Sequence, residues 1–254
     1  MTKRKQNRED GTGLNKYISG TGFCSRREAD KLIEQARVTI NDELVLPGAQ
    51  VYPGDKVAID GEPLKSSAAK RPIYIAFNKP VGVTSTTDLK DKTNIISFIN
   101  HPKRIFPIGR LDKDSDGLIF LTNDGDIVNK ILRASNNHEK EYIVNVDKAV
   151  TPEFIRQMSN GIPMLGTTTR KCFVRQEGSR RFRIMLTQGL NRQIRRMCEY
   201  LDYKVVTLTR VRIMNVQLDN LPVGKWRYFT PQEVTKMHEL VATSVKEDKP
   251  ARQQ

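Results

Sequence analysis

From Ile73 onward, short apolar runs of strand length recur: Tyr74-Ile-Ala-Phe77, Leu118-Ile-Phe-Leu121, Tyr142-Ile-Val-Asn-Val146 and Phe182-Arg-Ile-Met-Leu186. Helical stretches at Phe154–Met158 and Asn191–Tyr200 interrupt them, but strand and helix do not alternate regularly. That pattern favours an α+β domain with a mainly antiparallel or mixed sheet over a doubly wound parallel one. Ahead of it, residues 13–64 read as a separate small module. Ser25-Arg26-Arg27-Glu28 has the form of a capping box, after which Ala29, Leu32, Ile33 and Ala36 recur on one helical face. Short strands are expected at Val38–Ile40 and Lys56–Ile59, the second closed by an Asp60-Gly61 turn. The predicted organisation is a basic flexible arm (1–12), the small module (13–64), a linker (65–72), a large domain (73–236) and a polar, fraying tail (237–254).

No run approaches the ~20 apolar residues that span a bilayer, and the basic N-terminus leads into Glu9-Asp10-Gly11 rather than an apolar segment, so no membrane role or secretory signal is expected. Cys24, Cys172 and Cys198 are widely spaced and odd in number, which argues against a disulfide framework or a paired-cysteine metal site and suits a reducing cytoplasm. The net charge of +14 points to a polyanionic partner, and its placement sharpens the point. Residues 1–65 carry 11 Lys/Arg against 10 Asp/Glu, whereas 170–212 alone carry 12 against 3. Such a concentration suits a surface that meets phosphates.

The stretch Gly109-Arg-Leu-Asp112-Lys-Asp-Ser-Asp-Gly117-Leu-Ile-Phe-Leu-Thr-Asn-Asp-Gly125 is the most informative. Asp112, Asp114, Asp116 and Gly117 match the opening of a calcium-binding EF-hand, but the twelfth place is Asn123 rather than a bidentate glutamate, and the flanks are strand-like. A strand-turn-strand presenting one aspartate at its apex is the better reading. Here the sequence resembles the catalytic segment of the RsuA/RluB/RluE/RluF branch of the pseudouridine synthases. Asn78-Lys-Pro-Val-Gly82, Lys140-Glu-Tyr142 and Gln188-Gly-Leu-Asn-Arg-Gln-Ile-Arg-Arg-Met197 resemble three further motifs of that branch, in order. His138-Glu-Lys-Glu-Tyr142 and Gly161-Ile-Pro-Met-Leu-Gly166 look most like its RluF type. The small module resembles the S-four-type RNA-binding domain, although the glycines usual near Ala36-Arg37 and at Asn41-Asp42 are missing.

The resemblance implies an isomerase that converts uridine to pseudouridine in structured RNA, with Asp112, Tyr142 and Arg195 at its catalytic centre. The implied substrate is large-subunit (23S) ribosomal RNA, with a transfer-RNA anticodon-loop uridine as a second target. The reaction breaks the N1–C1′ bond, turns the base and rejoins it through C5. Nothing is exchanged with a second substrate, so neither cofactor nor metal is demanded. Asp112 would act as nucleophile or base. Arg195 would clamp it bidentately, from a helix whose buried stripe is Ile194, Met197, Cys198 and Leu201. Tyr142 would hold the extracted base. Arg110 is a candidate to fill the gap left by the flipped base, Arg192 and Arg196 to touch phosphate, and Lys16, Arg26, Arg27 and Lys31 to grip RNA backbone. Lys79 and Lys140 read as supports of the fold or phosphate contacts. A monomer is expected. Two other classes compete. A non-catalytic RNA-binding factor would be indifferent to Asp112→Asn, and a nuclease built on Asp112, Asp114 and Asp116 would cut RNA and be silenced by a chelator.

Overall fold

The computed structural model describes residues 11–64 and 71–244. The expected arm up to residue 10, linker residues 65–70 and residues 245–254 lie outside the described residues. The chain divides into two compact units, Met1–Arg71 and Pro72–Gln254.

In the first unit, helices Leu14–Gly20 and Arg26–Glu34 pack on a four-stranded antiparallel sheet. The capping box at Ser25 is complete: its side chain accepts from the Glu28 backbone N–H at 3.2 Å, and the Glu28 carboxylate accepts from the Ser25 N–H at 2.7 Å. Leu14, Ile18, Ala29 and Ile33 are buried against Val38, Val51, Val57 and Ile59. Two expectations change. Ala36 is exposed, because it lies past the end of the helix with φ of 54°. Thr12, assigned to the arm, pairs with Val51 in a short ladder. The three positions Ala36, Asn41 and Asp42 all adopt positive φ. Asn and Asp tolerate that region better than other side chains, and the Asn41 side chain is held besides by accepting from the Lys56 N–H at 3.0 Å across the sheet. Ala36 has no such compensation, and its backbone costs about 1–2 kcal/mol relative to an ordinary conformation.

The second unit is built on a nine-stranded sheet. Its main path runs Phe173–Gly178, Arg181–Leu186, Lys140–Val146, Val205–Ile213, Asp116–Thr122, Tyr74–Lys79, Trp226–Tyr228. All strand pairings along it are antiparallel except one. Val205–Ile213 meets Asp116–Thr122 in parallel, with Thr209 opposite Asp116 and Arg210 opposite Gly117. That seam joins the two halves of the sheet, and only glycine fits at it. Gly117 has φ of +101°, and a Cβ there would sit 2.3 Å from the Arg210 carbonyl oxygen and 2.6 Å from its nitrogen. On one side of the seam, Val144, Phe182, Ile184 and Leu186 pack against the helices Pro152–Asn160 and Gln193–Tyr200. On the other, Tyr74–Lys79 is buried along its whole length, with Ala76 and Phe120 in one apolar cluster and Ile75, Phe77 and Ile119 in another.

The predicted tail from residue 237 is corrected. Helix Pro231–Ala242 starts at a Thr230–Glu233 capping box and buries Met237 and Val241, an apolar pair four residues apart amid polar neighbours. No helix among the described residues is long and apolar enough to cross a membrane.

Candidate active site

Strands Phe106–Ile108 and Asp116–Thr122 pair antiparallel, so the loop between them turns at the sheet's edge and lifts Asp112 out of it. Buried Ser85 fixes the loop by donating to the Leu111 carbonyl at 2.8 Å and accepting from the Leu111 N–H at 3.2 Å. The Gly82 N–H donates to the Lys113 carbonyl at 2.8 Å, and the Ser115 N–H to that of Asp112 at 3.1 Å. Asp112 is thereby pinned on both sides while its side chain stays about one-third exposed, at 34%.

The carboxylate opens into a cleft of about 440 Å³ that Tyr142 and Arg195 also line. Tyr142 belongs to Lys140–Val146, whose even-numbered residues share a face: Val144 and Val146 enter the core, while Lys140 and Tyr142 reach the cleft. A register shift between Glu141 and Tyr142 against Val205–Ile213 sets Tyr142 opposite Arg210, whose guanidinium lies 5.9 Å from the ring centroid. Bulges of this kind re-aim side chains beside functional sites.

Arg195 arrives from helix Gln193–Tyr200 and lines the cleft, as expected, but it is buried there. Its side chain is 9% exposed, because the helix buries Gln193 and Arg195 as well as Ile194, Met197 and Cys198, whereas Leu201 is only half-buried. The bidentate clamp on Asp112 is also absent. Arg195 Nη2 donates instead to the Asp114 carbonyl at 2.8 Å and to Ser115 Oγ at 2.9 Å, and Nε stands 4.0 Å from Asp112 Oδ2 and 3.5 Å from Asp114 Oδ2. That Nε is buried without a hydrogen-bond partner. Ligand-free sites often hold such pairs too long for a bond.

Arg192, expected on phosphate, grips Asp114 through both terminal nitrogens at 3.2 and 3.1 Å and lies 3.6 Å from Asp112 Oδ2. Burial pushes the Asp114 carboxyl up, but the Arg192 hydrogen bond and the charges of Arg195 and Arg192 outweigh it, leaving it below the ordinary range. The trio of aspartates on which the competing nuclease reading rests is divided: Asp112 and Asp114 face guanidiniums, while Asp116 begins a strand with Oδ1 buried and unpartnered. Among the described residues no group of three or more His, Cys, Asp or Glu is arranged to hold a metal ion. Arg196 turns back to Asn191, donating to its carbonyl at 3.2 Å. Arg110 is exposed at the rim, beside both the main cleft and a smaller one that Asp112 shares.

In the first unit, Arg26, Arg27 and Lys31 are exposed on one helix and Lys16 is half-buried on the other. Lys79 is wholly buried and donates to the Pro80 and Val83 carbonyls at 3.0 and 2.9 Å, so it supports the fold and touches no phosphate. Burial lowers its amine to about 8. Arg210 and the position of Lys140 on the cleft wall escaped the sequence reading. Arg210 opens the run Arg210-Val-Arg-Ile213, where charged and apolar side chains alternate as in any half-exposed strand.

A family model described as RNA pseudouridylate synthase matches residues 73–200, the segment that supplies Asp112, Tyr142 and Arg195. The chain belongs to that family. As a pseudouridine synthase it is an isomerase that acts on RNA, and an S4 domain model matches residues 12–57 of its first unit. The curated Dual-specificity RNA pseudouridine synthase RluF of Escherichia coli (strain K12) is 57% identical over 93% of this chain and 82% of its own length. Ribosomal large subunit pseudouridine synthase B of Bacillus subtilis (strain 168) is 32% identical over 89% of this chain and 96% of its own. A solved crystal structure of a pseudouridylate synthase superposes with a TM-score of 0.65 at 29% identity, covering 88% of this chain and 98% of that one. The resemblance to the RluF type and the α+β class with a largely antiparallel sheet both hold.

Proposed function

We propose that this pseudouridine synthase isomerises uridines of large-subunit ribosomal RNA and one uridine of a transfer-RNA anticodon loop, with Asp112, Tyr142 and Arg195 as its catalytic centre. One observation carries the reading: side chains from a loop, a strand and a helix far apart in sequence converge on a single cleft. The names of the relatives, one dual-specificity and one of the ribosomal large subunit, support the choice of substrates.

In this reading the target uridine leaves its stack and enters the cleft, where the Tyr142 ring takes its face; such stacking contributes on the order of 1–3 kcal/mol per base. Asp112 meets the sugar–base junction as a carboxylate, and Arg195 supplies its counter-charge. Whether it attacks C1′ or removes a proton, the same ionised group is required. C5 must lose its hydrogen once it is bonded to C1′, and N1 must gain one. Arg110 at the rim fills the vacated place in the stem. Arg192 and Arg196 meet phosphates once RNA competes for their present partners, and Lys16, Arg26, Arg27 and Lys31 grip backbone through the S4 domain. In the same reading the enzyme works in the cytoplasm as a monomer.

The test is a map of pseudouridines in ribosomal and transfer RNA from cells lacking the gene, complemented with wild-type protein or with Asp112→Asn. Sites in both RNAs should vanish on deletion and return only with wild type. Return with Asp112→Asn refutes the assignment of the carboxylate, and loss confined to one RNA class refutes the dual substrate.

A further inference from the structure

Two cations on the cleft wall have no counter-ion among the described residues. Lys140, 8% exposed, donates only to the His138 carbonyl at 3.1 Å, which leaves two of its three N–H donors unused. Arg210, 4% exposed, donates from Nε to the Leu118 carbonyl at 2.6 Å, and its Nη2 is buried with no partner at all. Neither makes an ion pair among the described residues, and burial first, then the charge of Arg210, lowers the Lys140 amine to about 8. Buried charge and unmade donors of this kind are costly to hold. Both residues line the cleft with Asp112 and Tyr142, on the strand pair that carries Tyr142 itself. The missing partner is therefore electron-rich and enters with the substrate.

We propose that Lys140 and Arg210 donate to the carbonyl oxygens of the extracted uracil and stabilise the negative charge its ring acquires when the N1–C1′ bond breaks. The assignment rests on the reading that this cleft receives the uridine. The bond breaks with its electron pair staying on the base, so charge spreads over N1, O2 and O4 while C1′ becomes electron-poor beside the Asp112 carboxylate. Bond formation from C5 returns a pair to C1′. The C5 proton leaves, N1 takes up a proton, and atoms and electrons balance without a second substrate. Donors fixed in advance around the developing charge stabilise the transition state more than the bound ground state. Water would have to reorganise to do the same. The two halves of the site thus divide the charge: Asp112 answers the sugar, and the two cations answer the base.

The test is single-turnover isomerisation of an unmodified large-subunit ribosomal RNA transcript at saturating enzyme, with RNA affinity and thermal unfolding measured alongside. Lys140→Met keeps the length of the side chain and removes its charge. The rate should fall on the order of 100-fold, the magnitude for losing one preorganised donor, with Kd changed less than about twofold. The melting temperature should hold or rise, because a buried cation facing Arg210 has gone. Lys140→Arg should recover most of the rate. A purely structural lysine predicts the opposite pairing, with stability and rate falling together and no rescue by arginine. That result overturns the proposal, as does a Lys140→Met rate within about threefold of wild type. Absence of any pseudouridine with wild-type protein would strike the substrate reading as well, whereas a fully active Lys140→Met would strike this inference alone.

Discussion

Gly117→Ala isolates the seam on which the site is hung. At this position φ is +101°, and an added Cβ would meet the Arg210 oxygen at 2.3 Å and nitrogen at 2.6 Å. Both are backbone atoms of the paired strand and cannot rotate aside. The unfavourable conformation alone costs about 1–3 kcal/mol. Moving the neighbouring strand by most of an ångström adds the overpacking cost of about 1–3 kcal/mol. We therefore expect destabilisation of about 2–6 kcal/mol, a large share of the ~5–15 kcal/mol that holds a domain together. At roughly 2–4 °C per kcal/mol for a unit of this size, the melting temperature should drop by about 10 °C. Gly166→Ala is the matched control. It too has positive φ, +73°, but a Cβ there would find nothing within 4 Å, so only the backbone penalty of about 1–2 kcal/mol applies. Denaturant unfolding of both variants gives the comparison. Equal losses at the two positions would refute the claim that crowding against Arg210 is what excludes a side chain at residue 117.

Arg195→Met should lower turnover by at least about 100-fold and destabilise by about 1–3 kcal/mol, because the Asp114 carbonyl and Ser115 hydroxyl lose their shared donor; kinetics and unfolding on the same preparation check both. Changing Lys16, Arg26, Arg27 and Lys31 together to alanine should flatten the dependence of RNA affinity on log salt by roughly 0.7–0.9 per lost phosphate contact, while leaving single-turnover chemistry on bound RNA intact. Lys79 bears on pH. Its folded value of about 8 lies below its ordinary 10.5, so the unfolded chain binds more protons between the two and stability rises with pH through that window. Lys79→Met should remove its share of this rise, leaving that of Lys140, seen as a shallower plot of unfolding free energy between pH 8 and 10.5.

Much of this architecture was legible before any coordinates, for identifiable reasons. The Ser25 cap and the Ala29/Ile33 stripe are local signals, and local signals survive folding. The aspartate at the apex of a strand-turn-strand was likewise written in one contiguous stretch. What the sequence hid was long-range. The seam between Val205–Ile213 and Asp116–Thr122 joins residues some ninety positions apart, so neither the need for Gly117 nor the arrival of Arg210 beside Tyr142 has a local signature. Helical periodicity placed Arg195 correctly toward a cleft but could not say that the cleft wall would bury it. Nor could it say that Asp114 and Ser115, rather than Asp112, would take its hydrogen bonds. The helix Pro231–Ala242 was missed because its buried pair is diluted by polar neighbours.

The most direct measurement follows tritium from RNA labelled at uridine C5. When C5 bonds to C1′ its hydrogen must leave, so release counts completed rearrangements. Wild-type protein should release tritium one-for-one with pseudouridine formed, and Asp112→Asn, which keeps the shape of the side chain but not its charge, should bind the same RNA with equal affinity and release none. Sustained release by Asp112→Asn would show that the carboxylate at the loop's apex is not the group that rearranges the uridine.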